Sequence, residues 1–252
     1  MRYFIELSYD GTAFHGWQVQ NGDSTVQQQI ERGLRFKLGL KEKVTGCGRT
    51  DTGVHARSFF AHFDLEQNLD NDQIQRAVYE LNNFLPNDIS VHRIFHVHSN
   101  AHARFDAVSR TYKYFINTRK DPFTERFAWT YRVPLDVDVM NTAARILKEN
   151  VDFTSFAKLH SDVKTNICKI EAAIWCKKGS QLIFTITADR FLRNMVRAIV
   201  GTLVEVGRGK LTPEGFGEII LQKDRGAAGM SAPAKGLFLE DVAYEWYKIL
   251  LE

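Results

Sequence analysis

Apolar and polar positions alternate from Tyr3 to Tyr9, with Tyr3, Ile5, Leu7 and Tyr9 on one face, so the chain is expected to open on a strand that turns at Asp10-Gly11. The period then changes. Val26, Ile30, Leu34 and Leu38 recur at helical spacing behind Thr25-Val26-Gln27-Gln28, which fits a capping box, and Gly39 stops the helix. Between them lies Phe14-His15-Gly16-Trp17-Gln18-Val19-Gln20, aromatic and amide-rich but without a period. It reads either as a loop tucked under the core, which the pattern favours, or as a surface that stacks on bases and reads their edges. A strand over Arg57 to Phe63, a helix from about Asn71 to Leu85 with Ile74, Val78, Leu81 and Leu85 inward, and a strand from Ile89 to Val97 come next.

From Ala101 the texture changes, which puts a boundary near residue 100 and divides the chain into 1–100 and 101–252. Basic residues now alternate with aromatic ones, among them Arg110, Lys113, Arg126 and Arg132 with Tyr112, Tyr114, Phe127 and Tyr131, a mixture suited to phosphates and stacked bases. Ser109 to Ile116 alternates as a strand that places Arg110, Tyr112 and Tyr114 on one face. A helix over Asp138 to Lys148 precedes a hairpin, whose strands Thr165 to Cys176 and Leu182 to Ala188 meet at Lys177-Lys178-Gly179-Ser180. An apolar helix is expected from Phe191, with Arg190, Arg193 and Arg197 along one face. Such a stripe is usually solvated. Arg197, however, sits among apolar neighbours, and a partly buried guanidinium needs an anion, for which Asp51 is one candidate. A short helix over Thr212 to Gln222 and a strand over Leu237 to Tyr244 close the chain.

The composition narrows the classes. With 44% apolar residues the 252-residue chain can fill a core, and a net charge of +3 says little until its distribution is seen. Residues 64 to 88 carry Asp64, Glu66, Asp70, Asp72, Glu80 and Asp88 against Arg76 alone, whereas residues 155 to 197 are rich in Lys and Arg. Cys47, Cys168 and Cys176 have no C-x-x-C spacing, which points away from a disulfide framework or zinc knuckle and toward a reducing cytoplasm. No signal-like h-region and no apolar run of membrane-spanning length occurs, so a soluble, unprocessed protein is expected. His92, His96, His98 and His102 would share one face of an unbroken strand, but they span too great a length for one ion, so a polar outer face is expected and no metal.

The stretch of greatest chemical interest is Gly46-Cys47-Gly48-Arg49-Thr50-Asp51-Thr52-Gly53-Val54-His55-Ala56. Its glycines permit sharp turns and close approach of a substrate, and Arg49 lies two positions before Asp51, so an extended segment would present cation and carboxylate to one space. The plainer reading is a surface turn with a local ion pair. Asp51-Thr52-Gly53 is also the tripeptide of aspartic proteases, but those need two such carboxylates, and a single copy would demand a dimer sharing the site. Phosphate-loop and dinucleotide patterns are not met, because an acid stands where the last glycine belongs.

Taken together, the sequence resembles the TruA family of tRNA pseudouridine synthases. The resemblance rests on Tyr9-Asp10-Gly11 with Gly16-Trp17-Gln18, Gly48 through Ala56, Ser109-Arg110-Thr111-Tyr112-Lys113-Tyr114, Asp152-Phe153-Thr154-Ser155-Phe156, Phe191-Leu192 with Met195-Val196-Arg197, and Ala232-Pro233 with Gly236-Leu237. It implies an α+β fold of two similar halves, each a mostly antiparallel sheet with helices on one face, meeting at a basic cleft. It implies a cytoplasmic homodimer that binds tRNA and converts uridine to pseudouridine at positions 38, 39 and 40 of the anticodon stem-loop, with no cofactor. By position it makes Asp51 the catalytic acid, has Tyr112 stack on the target base and Arg49 help extrude it, and pairs Arg197 with Asp51. Two places depart from the family pattern: Glu149-Asn150-Val151, where Gly-x-His is common, and Arg190, where a small or amide residue is common. Both bear on RNA contacts more than on chemistry. An RNA-binding protein without chemistry is the alternative, since it would keep every basic and aromatic residue and leave only Asp51 without a purpose.

Overall fold

A computed structural model describes residues 1–158 and 165–251. The chain divides into two compact units, Met1–Val108 with Leu239–Glu252 and Ser109–Phe238. The division thus falls at residue 108 rather than near 100. The closing strand also belongs with the first unit instead of the second, because it lies beside a first-unit strand.

In the first unit β1 (Arg2–Tyr9) runs between two antiparallel partners, β3 (His55–Asp64) and β4 (Ile89–Val97). A two-residue strand β2 (Thr45–Gly46) pairs with β3. The helices α1 (Val26–Leu38) and α2 (Asn71–Phe84) pack together, and Gly33 lets them approach closely: a Cβ there would lie 3.0 Å from a Leu81 methyl carbon. Both helices start and stop for visible reasons. Thr25 accepts a hydrogen bond from the Gln28 amide and Gly39 ends α1 at φ 68, while Asp70 and Gln73 form a full capping box on α2. Ile74, Ala77 and Leu81 are buried on α2, whereas Val78, expected inward, is only partly covered.

The alternation read into β1 accounts for one buried face. Phe4, on the other face, is equally buried, because Phe60, Phe95, Tyr244 and Trp246 gather around it with ring centroids 4.8–6.5 Å apart. Tyr244 and Trp246 come from β9 (Leu237–Tyr244), the neighbour of β3, and the turn after it. Each such aromatic pair adds about 1 kcal/mol to the burial itself.

The second unit has the strand order β5 (Ala107–Asn117), β8 (Gln181–Ala188), β7 (Ile170–Lys178), all antiparallel, with a two-residue strand β6 (Trp129–Thr130) parallel to β5. Gly179, at φ 59, makes the β7–β8 turn. The helices are α3 (Val137–Ile146), α4 (Met195–Gly207) and α5 (Pro213–Gln222). The α+β class therefore holds, each unit combining a mostly antiparallel sheet with helices.

Three expectations require correction. The strand expected from Thr165 begins at Ile170, the described residues before it forming only an isolated bridge between Asp152 and Ile167. The helix expected from Phe191 begins at Met195, because Asn194 takes the left-handed conformation at φ 66 and interrupts any earlier turn. Arg190 and Arg193 therefore lie outside it, and no arginine stripe forms. Finally, β4 is not an unbroken strand: Glu6 pairs with Arg93 but Leu7 with Val91, so His92 bulges out and the faces exchange. His92 is exposed beside the Ser8 hydroxyl, while His96 stacks on buried Tyr3 at 4.3 Å.

Candidate functional site

Asp51 lies in the loop between β2 and β3, and that loop is held from outside itself. The Thr50 carbonyl accepts from the Trp17 amide (3.4 Å) and the Thr50 hydroxyl bonds the Tyr9 hydroxyl (2.9 Å). The Phe14 carbonyl accepts from the Gly53 amide (3.2 Å), and the Val54 amide closes the turn onto the Asp51 carbonyl (3.1 Å). Below it Trp17, only 3% exposed, stacks on Phe59 with centroids 4.0 Å apart. The Gly11 amide donates to Nδ1 of the fully buried His55 at 3.0 Å. The aromatic segment before α1 is thus a buttress under the loop, as the pattern favoured, with Trp17 committed to Phe59.

The glycines of this region do different work. A Cβ on Gly11 would fall 2.0 Å from the Val54 carbonyl oxygen, one on Gly16 2.2 Å from that of Thr50, and one on Gly46 2.6 Å from the Trp17 indole nitrogen. Gly53 turns at φ 76, whereas Gly48 has nothing within 4 Å of such a carbon. The loop is therefore close-packed against residues 11–17 on one side and open at Gly48. Asp51 is half-buried and Arg49 exposed. Among the described residues Arg49 makes no ion pair with Asp51, so the plainer reading of a local surface pair does not hold.

In the second unit Tyr112 is half-buried on β5, edge-on to Phe191 at 5.1 Å and opposite Ile186 of β8. Arg110, Tyr112 and Tyr114 share a face as expected, and burial increases along it. Arg110 Nη1 donates to the Asp189 carbonyl (2.9 Å), while Tyr114 is wholly enclosed and donates to the Pro233 carbonyl (2.8 Å). Enclosure holds the Tyr114 phenol well above its usual pKa range, so it remains a donor. Arg197 is the charged residue of the otherwise buried first turns of α4. Its Nε donates to the Ala232 carbonyl (2.8 Å) and its own carbonyl accepts from the Ala232 amide (2.9 Å), which fixes the plane of the guanidinium. The loop's supports, Tyr9, Phe14, Trp17 and His55, were not singled out from sequence as partners of Asp51. The signal for them lay in Gly11 and Gly16, whose need for close approach is visible only in three dimensions.

No group of three or more His, Cys, Asp or Glu among the described residues is placed to hold a metal ion. Nor is any described helix long and apolar enough to cross a membrane.

Residues 143–245 match the protein-family model described as tRNA pseudouridine synthase, which sets the class. Full-length relatives narrow it. The protein called tRNA pseudouridine synthase A in Bacteroides thetaiotaomicron is 54% identical over 246 residues, covering 96% of this chain and 90% of that one. Those of Parabacteroides distasonis and Bacillus subtilis are 52% and 39% identical, covering 96% and 97% of this chain and 96% and 100% of their own. The chain belongs to the tRNA pseudouridine synthase A family. Among solved structures, a Cbf5-Nop10-Gar1 complex aligns over 95% of this chain and 48% of that one, with 11% identity and a TM-score of 0.41.

Proposed function

We propose that the protein isomerises uridine to pseudouridine at positions 38, 39 and 40 in the anticodon stem-loop of tRNA, with Asp51 as the catalytic acid. The observation that carries this reading is the loop itself: a half-buried carboxylate pinned through Thr50 and Gly53 to residues 9–17 has the rigidity that a reacting group needs. Isomerisation breaks the bond from C1′ to N1 and forms one from C1′ to C5, while C5 gives up a proton and N1 gains one. Electrons and water balance without a partner. Two routes suit a lone carboxylate, attack on the sugar and removal of a proton beside the glycosidic bond.

The other roles are those the family resemblance implies, and exposure and chemistry agree with them. Arg49, standing in solvent at the open side of the loop, enters the RNA stack and displaces the uridine. Tyr112 presents a ring to the extruded base, and Arg197, its guanidinium plane held by Ala232, supplies the counter-charge to Asp51. The enzyme works as a homodimer in the cytoplasm, a reducing compartment that suits the free and exposed Cys176. The test is Asp51→Ala. It is expected to bind tRNA with unchanged affinity in a filter assay and to release no tritium from tRNA labelled at C5 of uracil. Release at the wild-type rate would show that the reacting group is not Asp51.

A further inference from the structure

Residues 225–233 are anchored along α4 with unusual completeness. Arg225 Nη1 donates to the Ala228 and Gly229 carbonyls (3.3 and 3.2 Å) and its Nη2 to the Ser231 hydroxyl (3.1 Å), which Asn194 also reaches at 2.6 Å. The Gly229 amide donates to Thr202 Oγ1 (3.0 Å), Ala232 is bonded on both sides to Arg197, and Pro233 to Tyr114. The Met230 carbonyl lies so close to α4 that a Cβ on Gly201 would be 1.7 Å from it. Yet the Met230 side chain is 87% exposed. A lone exposed methionine is ordinary on a loose loop. Here the backbone on both sides is tied down, so the point at which the side chain leaves the backbone is fixed.

That point can be located relative to Arg197. Gly201 comes four residues after Arg197 on the same face of α4, a rise of about 6 Å. The Met230 carbonyl therefore meets α4 one helical turn from the Arg197 backbone, the Arg197 guanidinium is bonded to Ala232 two residues further along the same segment, and the side chains that anchor the segment include a second arginine. Extruding a base leaves a gap in the stack, and proteins that open stacks insert a rigidly presented apolar side chain between the bases. Methionine is unbranched and polarizable enough to lie against either neighbour. We propose that Met230 is the wedge that keeps the RNA stack open beside the extruded uridine. This rests on the reading above that Arg197 serves the target nucleotide.

The experiment compares Met230→Ala and Met230→Leu on two anticodon stem-loop RNAs, one with the target uridine paired and stacked and one with it flanked by abasic sites, which leave it no neighbouring base to stack on. Met230→Ala should isomerise the stacked substrate about tenfold more slowly and the unstacked one at nearly the wild-type rate, since only the first has a stack to hold open. Met230→Leu, which keeps an apolar wedge, should match wild type on both, and the melting temperature should not move. Equal loss on both RNAs, or no loss on either, overturns the proposal. So does conversion of Met230→Ala to a smaller species on gel filtration, which would assign the residue to contact between copies. Arg197→Ala separates the two ideas: if it is inactive while Met230→Ala is normal, the wedge alone fails. If Arg197→Ala is fully active, the reading of Arg197 fails and the wedge falls with it.

Discussion

A single methyl group added at Gly16 should displace the Asp51 loop while leaving the Asp51 side chain chemically unchanged. Gly16 sits at φ 82, and a Cβ there would lie 2.2 Å from the Thr50 carbonyl oxygen and 3.1 Å from the Asp51 carbonyl carbon. Carbon and carbonyl oxygen approach to roughly 3.3 Å, so about 1 Å must open between the two segments. The Thr50 carbonyl also accepts from Trp17, whose ring is stacked on Phe59, so the loop side is the one that gives. Misplacing a reacting group by about 1 Å costs on the order of a hundredfold in rate. Gly16→Ala is therefore expected to isomerise roughly a hundredfold more slowly in single-turnover tritium release, with tRNA affinity unchanged. It should also lose about 1–3 kcal/mol of stability in thermal melts. Gly22 supplies the control, at φ 84 with nothing within 4 Å of an added Cβ. Gly22→Ala carries the backbone strain alone, about 1 kcal/mol, and should react at the wild-type rate. The reasoning is refuted if Gly16→Ala reacts normally, or if Gly22→Ala loses as much.

Two further outcomes concern buried side chains away from the loop. His62 is buried, its Nδ1 accepts from the Ala103 amide (3.1 Å), and its ring meets His102 edge-on at 4.6 Å. Burial first, then the charges of Arg2 and His102, hold its pKa down to about 4 from the ordinary 6.5, with Asp64 and Asp106 opposing. The unfolded chain thus takes up a proton that the folded chain refuses, so stability is full above pH 6.5 and falls by up to about 3 kcal/mol as pH drops to 4. His62→Asn, which keeps an acceptor for Ala103, should flatten that part of the melting-temperature profile, and an unaltered slope would rule His62 out. For the thiols, Cys176 is exposed while Cys47 and Cys168 are buried, and burial pushes Cys168 up to about 12. Iodoacetamide should therefore add once to the native protein, at Cys176, by mass spectrometry; a second rapid adduct would contradict the burial.

Features set by neighbours in the chain were legible in advance. The alternation over Tyr3 to Tyr9 and the recurrence over Val26 to Leu38 are local, and β1 and α1 form where they predict, down to the left-handed Gly39. Events of one residue escaped, because periodicity averages over them: the bulge at His92 exchanges the faces of β4, and the left-handed Asn194 delays the start of α4. The burial of Phe4 escaped for another reason, since its covering rings come from the opposite end of the sequence. The Asp51 loop stood out as a motif, but its supports Tyr9, Phe14 and Trp17 lie some 33–41 residues from the loop residues they hold, and no single-sequence pattern links Thr50 to Tyr9 and Trp17.

The return of Leu239 and its successors to the first unit has a bearing on synthesis. Translation must produce all of Ser109–Phe238 before the strand beside β3 exists, so the nascent N-terminal unit waits with Phe4 and Phe60 uncovered by Tyr244 and Trp246. Contacts of such long sequence separation form slowly. During that interval the exposed aromatic face is the part of the molecule most in need of a chaperone, and the order of emergence from the ribosome makes the second unit the first to be finished.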